Sequence, residues 1–350
     1  MIDRRRFMHA GLGGLCCGAA ALAGTLAASA GADTDAGAGE APREPAGRAP
    51  IPTAETIGRV VAVGELIPPG EAPRSNRDAL PAARISERLA AGMQALLGPE
   101  PWARLAAPED RVAIKINALA SGNLSPRPEL IAAIVAGLRA AGVPAGAITI
   151  WDRTTREVER SGFPRQTGDD AVRAYGTDAL RGGGYGSTIE SSGPVGSLVS
   201  RILTDYATVL INVGVLKDHD LAGVSAGMKN LYGVIHNPNR YHDHTCDPYV
   251  AHVTALPAVR ARLRLTVIDA ILAQAEQGPA FAPDWIWPCD RILLAVDPVA
   301  CDRIAWQWIE GERSRRGLPS LSEAGRAPHW IETAARLELG RCDPVEVLEC

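Results

Sequence analysis

Five short apolar runs in this chain each stop at an amide or a carboxylate. VAIKIN ends in Asn117, AITIWD in Asp152, TVLIN at Asn212, LTVID in Asp269 and ILLAVD in Asp297. Several of the runs are apolar throughout instead of alternating, which is the pattern of strands buried on both faces. Longer stretches with helical spacing lie between them. That alternation constrains the chain to an open, mostly parallel α/β sheet flanked by helices, with Rossmann-like layering. The predicted strands are 59–64, 112–117, 147–151, 208–213, 265–269 and 292–296. The predicted helices are 83–97, 128–141, 221–235, 256–263 and 298–310. Residues 55–350 read as a single α/β domain that ends in an irregular C-terminal extension.

In such a sheet, ligands bind beyond the carboxyl ends of the strands. Asn117, Asp152, Asn212, Asp269 and Asp297 are therefore candidate substrate-binding residues. Asp297 also precedes Pro298, and the pair reads equally well as a helix N-cap with proline at the first helical position.

The chain has 36 lysines and arginines together, and only Lys115, Lys217 and Lys229 are lysine. Abundant Ala, Arg, Gly and Pro indicate a high-GC coding bias, which replaces lysine with arginine. A lysine that survives such a bias suggests a position that arginine cannot fill. Arginine is planar and always charged, whereas lysine is compact and can lose its proton when buried. Lys115 stands on the strand ending in Asn117, Lys217 follows the strand ending near Asn212, and Lys229 lies in the helix predicted after it. All three are expected at one rim. On a wheel of the predicted helix, at about 100° per residue, Ser225, Lys229, Tyr232 and His236 share a stripe about 60° wide. The stripe contains neither Glu nor Arg, and every member can donate a hydrogen bond. It suits an anionic ligand or proton transfer, and an ordinary half-exposed helix face is the plainer alternative. The candidate catalytic residues are Lys217, His219, Lys229 and His236.

The segment HNPNRYHDHTCDPYVAH follows. His242, His244 and Cys246 recur at every second position, so on an extended segment they share a face. Imidazole and thiolate together suit zinc, copper or iron, and a histidine-rich surface loop that binds nothing is the alternative. Arg240 beside them favours an anionic group. The chain contains no G-x-G-x-x-G, no P-loop lysine motif, no G-x-S-x-G and no H-E-x-x-H. The glycine-rich RGGGYGS at 181–187 follows no clear strand and reads as a loop.

The N-terminus reads as an address. Arg4 and Arg5 lead into a weakly apolar Gly/Ala stretch that ends in Ala28-Ser29-Ala30. This matches a twin-arginine export signal with an A-x-A cleavage site over residues 1–30, and its partner would be the twin-arginine translocase. As a permanent membrane anchor the stretch is short and poor in lipid-favouring side chains. Residues 31–54 read as a disordered linker. The formal net charge is -4, and cleavage removes Asp3 and three arginines, a net +2, leaving about -6. Neither value points to nucleic acid or an anionic membrane. The mature chain keeps five cysteines, so at least one is unpaired within it, and no C-x-x-C offers an iron–sulfur or zinc-ribbon motif.

Together, VAIKIN, LINVGVLKDHDLAGVSAGMKNLYGVI, LTVIDAILAQAEQGP and AVDPVACDRIA resemble the domain of unknown function 362 family, over roughly residues 58–310. The family has no generally established reaction. Some relatives carry a ferredoxin-like iron–sulfur segment, whose cysteines this chain lacks. The resemblance places Lys115, Asn117, Lys217, His219, Lys229, Asn230, Asp269, Asp297 and Asp302 at the family's motif positions. With Tyr232 from the stripe, these complete the candidate site. The expectation is an exported enzyme acting on a small anionic substrate, with a transition metal or redox cofactor left open. The alternative is a non-catalytic periplasmic binding or carrier protein for an anionic ligand or a metal. Such a carrier is expected to show two lobes and a hinge, whereas an enzyme is expected to show shifted lysine or histidine pKa values in an enclosed cleft.

Overall fold

The computed structural model describes residues 53–71 and 73–350. The predicted signal and nearly all of the predicted linker lie outside the described residues. The described residues belong to one compact unit, Ala41–Cys350. Its strands are β1 Arg59–Gly64, β2 Val112–Ile116, β3 Ile148–Asp152, β4 Arg173–Gly176, β5 Glu190–Ser192, β6 Val195–Ser197, β7 Val209–His219, β8 Gly223–Ser225, β9 Leu263–Gln274, β10 Ile286–Ala295 and β11 Glu346–Glu349. The helices are α1 Ala82–Leu97, α2 Pro101–Leu105, α3 Pro128–Ala140, α4 Thr155–Arg160, α5 Gly227–Asn230, α6 Tyr249–Thr254, α7 Pro257–Arg262, α8 Pro298–Arg315 and α9 Trp330–Arg336.

Nine strands form the main sheet in the order β11-β1-β10-β9-β7-β2-β3-β4, with β8 folded back on β7. The β9-β7-β2-β3-β4 run is parallel, as is the β1–β11 pair, while β10 runs antiparallel to both its neighbours. The apolar runs divide between two cores. Val112, Ile114 and Ile116 of β2 and Val209, Ile211 and Val213 of β7 face the layer holding α1 and α3. Ala113 and Leu210 face the opposite layer, with Met228, Leu231, Trp330 and Ile331. Both faces are covered, which is why the strands carry no polar alternation. Among the described residues no helix is long and apolar enough to cross a membrane.

Three expectations change. The predicted helix 221–235 is instead a strand, one helical turn and a 3₁₀ turn: β8, α5 and then Leu231–Val234. Glycine explains the break. Gly223 sits at φ 76°, where a side chain is strained, and a Cβ on it would come 2.1 Å from the Arg326 carbonyl oxygen. The backbone therefore turns, and Lys217 pairs with Ser225 across the β7–β8 hairpin. The strands β7 and β9 also run well past their predicted ends, to His219 and Gln274. Finally, the C-terminal extension includes α9 and supplies β11, which pairs with β1 as an edge strand.

Candidate functional site

A cleft of about 500 Å³ opens at the carboxyl ends of β2, β3 and β7. Lys115 and Asn117 come from β2 and its end, Asp152 and Arg153 from the end of β3, and His219 and Asp220 from the end of β7. The chain folded back over β7 adds Ser225, Lys229, Asn230 and Tyr232, and His242 closes one side.

All three lysines of the chain are buried, at 1%, 0% and 7% exposure for Lys115, Lys217 and Lys229; Lys115 and Lys229 line the cleft and Lys217 does not. They differ in their partners. Lys115 Nζ lies 2.7 Å from Asp152 Oδ1, and donates to the Ile116 carbonyl at 2.7 Å and to Asn230 Oδ1 at 3.0 Å. Its charge is compensated, although burial lowers its pKa against the opposing pull of Asp152. Lys217 Nζ meets one side-chain acceptor, Asn117 Oδ1 at 3.3 Å. Lys229 Nζ lies 3.2 Å from His242 Nε2 and 3.9 Å from the centre of the Tyr232 ring. Among the described residues neither Lys217 nor Lys229 has a carboxylate within ion-pair distance. Desolvation disfavours the charged form of a buried amine. Burial accordingly pushes Lys217 down to about 7, against the opposing charge of Asp152 and with the help of Lys229. It pushes Lys229 down to about 8, against Cys246 and Asp220.

The two imidazoles carry opposite tautomers. His242 Nδ1 lies 3.0 Å from the Pro238 carbonyl oxygen. A carbonyl oxygen only accepts, so Nδ1 holds the proton and Nε2 presents its lone pair to Lys229. His219 Nδ1 receives the backbone N–H groups of Leu221 and Ala222, each at 3.2 Å. That nitrogen is the acceptor, and Nε2 carries the proton. Asp220 Oδ1 also lies 3.1 Å from His219 Nδ1, which would suit a protonated ring. Asp220 is largely solvated, however, and protonating Nδ1 would strip two backbone donors of their acceptor, so the neutral ring prevails. Burial, reinforced by Lys229, His242 and Lys217, pushes the His219 pKa down to about 2. Burial and Lys229 likewise lower that of His242. The rings stack at 5.8 Å, with one donor and one acceptor.

Beneath the cleft an amide chain fixes the geometry. Asn230 donates to Asn212 Oδ1 at 2.8 Å, and Asn212 donates to the Gly227 carbonyl at 2.8 Å. Asp302 accepts from the Gly227 and Met228 N–H groups at 2.7 and 2.8 Å, and burial raises its pKa to about 7. Asn212 and Asp302 therefore hold α5 in place without lining the cleft.

Several predicted site residues lie elsewhere. Asp297 does not line the cleft, because β10 is antiparallel to β9 and its carboxyl end points the opposite way from the carboxyl ends of β2, β3 and β7. There it caps α8, accepting from Val299 and Ala300, and also binds the Gly58 and Arg341 N–H groups. Asp269 lies midway along the lengthened β9 and accepts from the Arg127 and Ile271 N–H groups. His236 was placed on the stripe only by the helix that does not form; it is exposed and packs edge-on against Tyr185 at 5.2 Å. Arg240 is exposed outside the cleft.

The proposed metal ligands also separate. The segment is a 3₁₀ turn instead of extended, so alternate residues diverge. His242 faces Lys229, His244 is exposed, and Cys246 is buried in the core. Among the described residues no group of three or more His, Cys, Asp or Glu could hold a metal ion, and all five cysteines are unpaired. Sequence reasoning missed Arg153, which lines the cleft with a buried Nε that has no partner. It directly follows Asp152, and extending the strand-end rule by one residue finds it.

A family model described as Domain of unknown function (DUF362) matches residues 112–307. That is more than half of the chain, and the chain belongs to this family. The match starts after β1, later than the resemblance over 58–310 suggests. No curated protein matches the chain.

Proposed function

We propose that this family member is an exported enzyme acting on a small anionic substrate held in the lysine cleft. The observation that carries the reading is the pair of buried amines, Lys217 and Lys229, with no carboxylate beside either. An uncompensated buried ammonium is costly, and an anion in the cleft supplies the missing charge. Arg153 offers a planar fork suited to a carboxylate or phosphate. The Lys229–His242 contact provides a proton-transfer pair, and the neutral His219 offers its Nε2–H to developing negative charge. The perturbed amine of Lys229 in the cleft, with that of Lys217 buried nearby, matches the expected mark of an enzyme. The carrier alternative was expected to show two lobes and a hinge, and the described residues fall within a single compact unit. No metal is assigned, since the expected ligands do not converge. Export rests on the Arg4-Arg5 signal.

The test is a melting series with acetate, pyruvate, sulfate and phosphate at neutral pH. At least one anion should raise the melting temperature saturably, and Lys217→Met with Lys229→Met should remove that rise. A wild-type protein indifferent to every anion would refute the reading.

A further inference from the structure

Deepening that reading, we infer that the substrate is a small 2-oxo acid whose carbonyl is captured as an imine by Lys229. Its carboxylate lies on Arg153 and its apolar end against Leu119 and Leu221.

The choice of amine follows from the three environments. Lys115 Nζ is saturated by a carboxylate, an amide and a carbonyl. Lys217 is sealed at 0% exposure and does not line the cleft. Lys229 lines it, and its nitrogen lies 3.2 Å from the His242 lone pair and 3.9 Å from the centre of the Tyr232 ring. An amine attacks a carbonyl only when it is unprotonated, and a desolvated lysine near a second cation meets that condition. Lys229 has the first feature: burial pushes its pKa down to about 8, against Cys246 and Asp220, so an unprotonated fraction is present near neutral pH. The apolar contact rests on a separate observation. Leu119 and Leu221 are 58% and 46% exposed, which is unusual for leucine, and both line the cleft.

The step balances without an added oxidant or reductant. The Nζ lone pair forms a bond to the carbonyl carbon, and the C=O π pair moves to oxygen. His242 Nε2 takes a proton from the new ammonium and returns it to that oxygen. The resulting hydroxyl leaves as water with the second amine hydrogen, and the nitrogen lone pair closes the C=N bond.

This inference rests on the anion reading, and the experiment separates the two. The full folded chain is incubated with pyruvate or 4-methyl-2-oxopentanoate and cyanoborohydride, then digested and mapped by mass. With only three lysines, the map is unambiguous. The expected result is one reduced adduct on Lys229, formed faster with the branched acid, and absent from Lys229→Gln. His242→Gln, which retains an acceptor but no basic ring, should form it roughly tenfold or more slowly. An unchanged rate in that variant would remove His242 from the step. Equal labelling by both acids would remove the apolar contact. An oxo acid that raises the melting temperature but labels only Lys115, Lys217 or the N-terminal amine, or nothing, would overturn the imine while leaving anion binding intact. Neither a melting shift nor an adduct would overturn both.

Discussion

Lys217 is the residue whose cost to the fold is clearest. It is fully buried, and among the described residues its one side-chain acceptor is a neutral amide. Lys217→Met keeps the bulk and removes the charge, so it should stabilise the fold while weakening anion binding, a trade typical of functional sites. The gain should appear as roughly 1–2 °C in melting temperature per kcal/mol recovered. Its pH dependence has a definite sign. The folded amine titrates near 7 and the unfolded one near 10.5. Between those values the unfolded chain binds more protons, so wild-type stability rises with pH across that window, by at most about 1.4 kcal/mol per pH unit. Lys217→Met should lack that rise in pH-resolved melts, and parallel curves would show that Lys217 does not titrate there. Lys229→Arg tests a different property. Arginine keeps the charge but is a broad fork that stays protonated, so it should reduce anion affinity by about tenfold or more, about 1.4 kcal/mol, with little change in fold.

The element that matters most is the chain that returns over β7. Gly233, in the 3₁₀ turn that follows α5, approaches the Lys115–Asp152 pair so closely that a Cβ would lie 2.5 Å from Lys115 Cε and 2.7 Å from Asp152 Oδ1. Gly233→Ala should therefore cost about 1–3 kcal/mol by overpacking, read as a lower melting temperature; an unaltered melt would show that the turn relaxes freely. This element also marks the limit of sequence reading. The parallel core strands were legible because burial on both faces leaves a continuous apolar signature. Lys115, Asn117 and Asp152 were legible because parallel strands deliver their ends to one rim. Asp297 was misplaced because strand direction is invisible in an apolar run. His236 was misplaced because AGVSAG carries a helical period while its glycines favour a turn. Lys229 reached the expected place by a different backbone path. The histidine-cysteine spacing misled because alternate residues share a face only in an extended segment, and the chain there is a tight turn.

At the scale of the whole molecule, one mostly parallel sheet brings residues from three strand ends and a returning hairpin to a common cleft, while the carboxyl end of the antiparallel β10 stays outside the site. The proposed journey of the chain rests on its first residues. Arg4→Lys with Arg5→Lys should leave the precursor in the cytoplasm, as seen by fractionation and immunoblotting; normal export would refute the twin-arginine assignment. The central claim concerns the unpaired amines, and calorimetric titration with pyruvate in buffers of different ionisation enthalpy tests it most directly. An anion entering beside amines that titrate near 7 and 8 raises their pKa values, so binding should take up protons near pH 8 and weaken as the pH rises beyond it. Lys217→Met with Lys229→Met should lose both the binding and the proton uptake. Binding without proton uptake, or binding that survives in the double variant, would contradict the account.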